Sequence, residues 1–243
     1  MPATTWTPTA LASEARPWRG SAWRAVEAQH QVATMRLARG RLSDQAVLED
    51  ILETVKPPQP GDARRLHWLL ATPFRYPPPP HGSRFRRPFE PGVFYAAEDR
   101  RTACAEAGYW RWRFWRDSAG LRERSAVVTL TLFQCHAATE RAIDLTLPPL
   151  ATDRDMWIHK NDYSATQALA EQARAADLDC LRYESARRPA GHCIACLHPR
   201  VFRGVRRPFR DRQQTWSLLI VPPNRTVWQR PLAREQWAFD WDG

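Results

Sequence analysis

The clearest pattern in the chain is SAVVTLTLF, residues 125–133, where β-branched and apolar residues run together with few interruptions; it predicts a strand. VFYAA (93–97), AIDLTL (142–147), CLRYE (180–184), HCIACLH (192–198) and TWSLLIV (215–221) read the same way, and RTVWQR opens one more. In LSDQAVLEDILETVK, 42–56, the positions Leu48, Ile51, Leu52 and Val55 have helical spacing, with Ser43 or Asp44 available as N-cap and Pro57-Pro58 as the stop. A second helix is expected after Asp99, running to about Phe114, with Ala103, Ala107, Trp110 and Phe114 on one packing face. YSATQALAEQARAA, 163–176, gives a third. HWLLATPF is a short apolar segment, PPQPG a turn, and PPPPHGS a loop, because proline lacks the backbone donor that regular structure needs. Residues 1–20 read as a loosely ordered arm. Strands dominate the second half without regular βαβ alternation, which predicts an α+β fold with a largely antiparallel sheet.

Composition supports a packed protein. Of 243 residues, 43% are hydrophobic and twelve are Trp, far from the profile of a disordered chain. The net charge of +10 invites a nucleic-acid reading, but lysine occurs only at Lys56 and Lys160 and the arginines are spread from end to end. No basic stripe or tail forms, which argues against direct nucleic-acid binding. Arginine forks suit phosphate-bearing small ligands and acidic proteins equally well. The five cysteines follow no secreted-scaffold spacing, no run approaches a membrane span, and residues 1–20 lack a leader-like apolar stretch; a reduced, cytoplasmic protein is expected.

Several motifs carry little. Cys193 and Cys196 form a lone C-x-x-C, and on a strand they would face opposite ways, so no metal is expected. Neither a G-x-G-x-x-G nor a P-loop pattern occurs. The run YWRWRFW, 109–115, reads as a helix packing face with arginine stems along it rather than as a base-stacking platform. More telling is HGSRFRRPFEPGVFYAAEDRRTACAE, 81–106, which places Arg84, Tyr95 and Glu106 at intervals of eleven across a loop, a strand and a helix.

With Trp23-Arg24 ahead of it and Tyr183-Glu184-Ser185-Ala186-Arg187 behind, that segment resembles the RES domain family, named for an Arg, a Glu and a Ser. The family pattern has an early aromatic-Arg pair, G-[GS]-R-[FW] (here Gly82-Ser83-Arg84-Phe85), a strand Tyr, a helix Glu and Y-x-S-A-R. About sixty residues separate Arg24 from Arg84, more than in compact members, so Arg75 in Phe74-Arg75-Tyr76 competes with Arg24 for the first Arg. The resemblance implies an ADP-ribosyltransferase-like, split, largely antiparallel β-core with surrounding helices: one catalytic domain over 21–243 with a helical insertion around 30–70. It implies an enzyme that takes NAD as substrate and cleaves its nicotinamide–ribose bond as glycohydrolase, phosphorylase or ADP-ribosyltransferase, the last with a protein acceptor. It also implies a toxin–antitoxin system in which an Xre-type antitoxin covers the active site. In these terms Glu106 is the acid beside the ribose. Arg84, with Arg24 or Arg75 and with Arg187, grips the pyrophosphate, while Tyr95 stacks on nicotinamide or bonds the ribose and Ser185 holds the amide, the ribose or Glu106. A basic, non-enzymatic nucleic-acid- or protein-binding module is the competing reading.

Overall fold

The structure is a computed structural model, and it describes residues 5–27, 35, 37–76, 80, 82–203 and 209–242. Part of the expected insertion, around 28–36, lies largely outside them. Eight strands form one sheet: β1 Arg16–Glu27, β2 Phe94–Ala97, β3 Ala126–Asp144, β4 Cys180–Glu184, β5 His192–Cys196, β6 Phe209–Val221, β7 Arg225–Gln229 and β8 Gln236–Asp240. Their order is β1-β2-β5-β4-β3-β6-β7-β8, with β1 also paired to β3. Only β3–β4 is parallel, over Ala142–Asp144 against Cys180–Arg182. The fold is α+β and mostly antiparallel.

β3 is the spine. Its first half pairs with β6, its middle with β1, and its last residues with β4. The two strands expected over 125–133 and 142–147 are thus one 19-residue strand. Both sides of its length find partners, so the polar Thr129, Gln134 and His136 do not interrupt it. The sheet splits where β1 leaves β3 and touches β2 at a single register pair, Trp23↔Ala97. A site can open in that gap.

Residues 8–20, expected as part of a loose arm, are ordered instead. Helix α1, Pro8–Ser13, is capped by Thr7 and buries Leu11, and β1 begins at Arg16. Pro17 falls at a register shift between Arg16 and Trp18, a bulge position where proline's missing N–H breaks no ladder bond. Helix α2, Leu42–Thr54, forms where its pattern predicts, but Arg41, not Ser43 or Asp44, takes the N-cap position without a side-chain cap bond, and the helix buries nothing; Ile51, Leu52 and Val55 are exposed. The remaining helices are α3 Trp68–Arg75, α4 Arg100–Asp117, α5 Arg154–Trp157 and α6 Ser164–Ala175. β8, unread in the sequence, is an edge strand whose residues alternate between part-buried and exposed.

Three apolar clusters hold the elements together. One packs α1 and α6 on one face of the β2–β5–β4 region, through Leu11, Phe85, Leu169 and Cys193. Another packs α3 on the opposite face through Leu70, Phe74, Phe94 and Cys196. Cys193 and Cys196 therefore do point to opposite faces. The third packs α4 against β6, β7 and the C-terminal residues, with Trp112, Trp216, Trp228 and Trp241 buried. This sets the rotation of α4. Its packing face is Cys104, Ala105, Tyr109 and Trp112, while Trp110 and Phe114, expected to pack, are exposed. The turn of the helix carrying Ala103, Glu106, Ala107 and Trp110 looks into the split.

Candidate active site

The split opens into a cavity of about 280 Å³ lined by Trp23, Arg24, Ser83, Arg84, Tyr95, Glu106, Trp110, Tyr163, Tyr183 and Cys193, among others. Each arrives by a local rule. Asp99 caps α4, its Oδ1 accepting from Thr102 N at 2.9 Å, and Glu106 follows Thr102 by one turn on the same face. Ala97, Cys193 and Tyr183 sit side by side across β2, β5 and β4, so their shared face forms the floor. Arg24 lies opposite Phe133 on β1, donates from Nη1 to Tyr95 O at 2.5 Å and packs over the Phe94 ring.

The loop that delivers Arg84 is rigid. Ser83 and Arg86 exchange backbone hydrogen bonds, and Gly82 (φ +70°) approaches Arg86 O so closely that a Cβ would lie 2.2 Å away. Glycine is needed there for its backbone conformation. Gln167 Nε2 donates to Ser83 O at 3.0 Å. Tyr95 Oη is 2.8 Å from Ser83 Oγ and accepts from Phe85 N at 2.9 Å. Arg84 is no surface charge: it is 8% exposed, donates from Nη1 to Trp157 O and His159 O, and stacks on Tyr163 at 4.6 Å.

Ser185, 3% exposed, closes the site from the other side. Its Oγ donates to Glu106 Oε1 at 2.6 Å and accepts from Arg187 N and Arg188 N, both at 3.1 Å. A serine with this turn geometry has one free proton to give, and it goes to the carboxylate. Glu106 is the only acid lining the cavity among the described residues. Burial, with the Glu106 charge also contributing, pushes the Cys193 thiol and the Tyr183 phenol well above their ordinary values, so both stay neutral. Burial lowers the Arg24 guanidinium from its ordinary value, and its Nε has no hydrogen-bond partner.

Five of the seven residues singled out in the sequence come together and a sixth adjoins them. Arg24, Arg84, Tyr95 and Glu106 line the cavity and Ser185 bonds Glu106. Arg187 lies at the wall to a second cavity, donating to Lys160 O and Tyr163 Oη and lying 3.4 Å over the Tyr109 ring. Arg75 is elsewhere. It ends α3, donates to Pro57 O and pairs with Glu53 at 2.6 Å. Its place at the helix end faces α2, not the split. Trp110 and Tyr163 also line the cavity and were not singled out; Trp110 was visible in the aromatic run but assigned to packing.

Fold and site together define an α+β protein with a cleft that sets Arg24 and Arg84 beside one serine-held carboxylate. The RES domain model matches residues 59–242, and the chain belongs to the RES domain family. Trp23 and Arg24 precede the matched segment; strand pairing brings Arg24 to it. Among solved structures, the M. tuberculosis MbcT–MbcA toxin–antitoxin complex contains a similar chain, with a TM-score of 0.47 and 13% identity over 87% of this chain and 92% of that one. No curated protein matches the chain.

Proposed function

We propose that this protein is the toxin of a toxin–antitoxin pair, an enzyme that consumes NAD by breaking the bond between nicotinamide and ribose. The observation that carries the reading is Glu106, the lone carboxylate in an arginine-lined cleft, fixed by the Ser185 hydroxyl. Nicotinamide departs neutral with the bonding electron pair, so no general acid is needed. The ribose develops oxocarbenium-like charge, as in glycoside hydrolysis, and a fixed carboxylate beside it stabilises that charge. An acceptor oxygen then bonds the anomeric carbon and loses its proton. Water, phosphate or a protein side chain each complete the balance, giving glycohydrolase, phosphorylase or ADP-ribosyltransferase.

The residues fit this substrate. At about 280 Å³ the cavity is at the small end of ligand sites, so it takes the nicotinamide-ribose end and leaves the remainder toward the rim. Aromatic rings of Trp110 and Tyr163 suit a pyridinium ring, and Arg24 Nε is a buried donor awaiting an acceptor. Arg84 and Arg187 supply charge for the pyrophosphate. No helix among the described residues is long and apolar enough to cross a membrane. Action on the cytoplasmic NAD pool and neutralisation by an Xre-type antitoxin seated over the cleft complete the proposal.

Purified protein incubated with NAD should release nicotinamide, and Glu106→Ala should slow it by about 10²- to 10³-fold, the usual cost of one preorganised charge-stabilising group. Equal rates for the two proteins overturn the assignment. Tight nucleic-acid binding with steep salt dependence and no NAD turnover would establish the basic binding module instead.

A further inference from the structure

Arg188 lies outside the cavity, yet it ties together the two elements that make the Ser185–Glu106 contact. Ser185 opens a short turn closed by its own N–H to Gly191 O at 2.7 Å and by Gly191 N to Arg188 O at 3.0 Å. From that turn Arg188 Nη1 donates to Thr102 Oγ1 at 2.8 Å and approaches Asp99 Oδ2 at 3.3 Å. Thr102 is fully buried, and its hydroxyl donates to Asp99 Oδ2 at 2.6 Å, leaving a lone pair for Arg188. Asp99 and Thr102 are the first turn of α4; Glu106 is the next. Gly191 lets the turn sit directly on this helix end, since a Cβ there would lie 2.5 Å from Thr102 Oγ1 and 2.9 Å from Arg188 Nη1.

Besides Arg187 over the Tyr109 ring, the turn and the helix meet at two further points about one helical turn apart. One is Ser185 on Glu106; the other is Arg188 on Thr102 and Asp99. With both in place the turn cannot pivot, and the 2.6 Å bond to the carboxylate is fixed in length and direction. Without Arg188 the turn keeps its contacts at Glu106 and, through Arg187, at Tyr109, but nothing ties it to the first turn of the helix.

We propose that Arg188 is a positioning residue for the reaction, holding the Ser185 hydroxyl on Glu106 through the first turn of α4. This rests on the NAD-consuming reading for its kinetic consequence but not for its structural one. Because misplacement of a supporting group by about an ångström costs up to about 10²-fold, Arg188→Ala should lower kcat about tenfold or more with KM for NAD within about twofold. Arg188→Lys, which keeps one donor within reach of Thr102, should recover part of the loss. Ser185→Ala/Arg188→Ala should be no slower than Ser185→Ala alone, because both act through one hydrogen bond. Amide exchange of 185–191 should rise in Arg188→Ala while the β3 and β6 amides keep their protection. Additive losses in the double variant, or wild-type kcat in Arg188→Ala, overturn the proposal. If the wild-type protein turns over no NAD, the functional reading falls by itself; the exchange measurement then decides this one, and unchanged protection of 185–191 overturns it.

Discussion

Replacing Tyr95 by phenylalanine tests what its hydroxyl does, for which the sequence reading offered only a bond to the ribose. A ring that only stacks on the substrate would not miss its hydroxyl. In the structure, however, that hydroxyl accepts from Phe85 N at 2.9 Å and pairs with Ser83 Oγ at 2.8 Å, on the two sides of Arg84. Phe85 is fully buried, so its N–H loses its partner without gaining water. Two net hydrogen bonds at about 1 kcal/mol each, plus part of the penalty for an orphaned buried donor, give roughly 2–3 kcal/mol of lost stability. For a chain of this size that is a fall in Tm of roughly 5–10 °C. Loosening the loop frees Arg84 from its stack on Tyr163, so KM for NAD should rise roughly tenfold, about 1.4 kcal/mol, with a smaller change in kcat. Thermal unfolding and initial-rate kinetics on Tyr95→Phe and Tyr95→Leu measure both. Wild-type Tm and KM in Tyr95→Phe, with losses only in Tyr95→Leu, refute the loop-holding role and restore ring stacking.

Further expectations bear on other links. Arg24→Ala should raise KM for NAD about tenfold, whereas Arg75→Ala, paired with Glu53 away from the cleft, should stay within about twofold; the reverse ranking would mean that the wrong arginine has been placed in the site. Arg154 holds the Glu184 carboxyl below its ordinary range through paired contacts at 2.7 Å. Its contribution is present above the unfolded-state value of about 4.3 and is lost as pH falls through the lower folded value, so the Tm deficit of Arg154→Ala at pH 7 should vanish in acid. A deficit as large in acid as at pH 7 contradicts this. All five cysteines are free and buried, so an aromatic disulfide reagent should find no fast-reacting thiol in the native protein and five after denaturation. One rapidly reacting thiol would mean that the cleft opens to Cys193. Finally, expression without the antitoxin should deplete cellular NAD and arrest growth; normal growth with NAD unchanged would count against the toxin reading.

The comparison of sequence and structure divides along physical lines. β4 Cys180–Glu184 was read to the residue because both flanks are punctuated locally, by Asp177 and Asp179 before it and by the Ser185 turn after it. The Asp99 cap was likewise local. β8 was missed because its apolar run, Trp237-Ala238-Phe239, is short and lies on a half-exposed edge strand. The site residues were legible through family likeness to a degree that spacing alone does not reach. Arg188 carries no such signal, since its partner Thr102 is eighty-six residues away.

By itself the sequence determined most of the strands and helices between β2 and β7 and the α+β class, because these follow from short-range periodicity and capping chemistry; Glu106 was singled out by family likeness. Only the tertiary structure decided which face of α4 packs, which of Arg24 and Arg75 reaches the cleft, and that residues 8–20 are ordered, with Leu11 in the core. Those outcomes depend on β1 pairing with β3 across more than a hundred residues, and on which side of a helix a neighbouring sheet covers. No local pattern encodes a partner that distant.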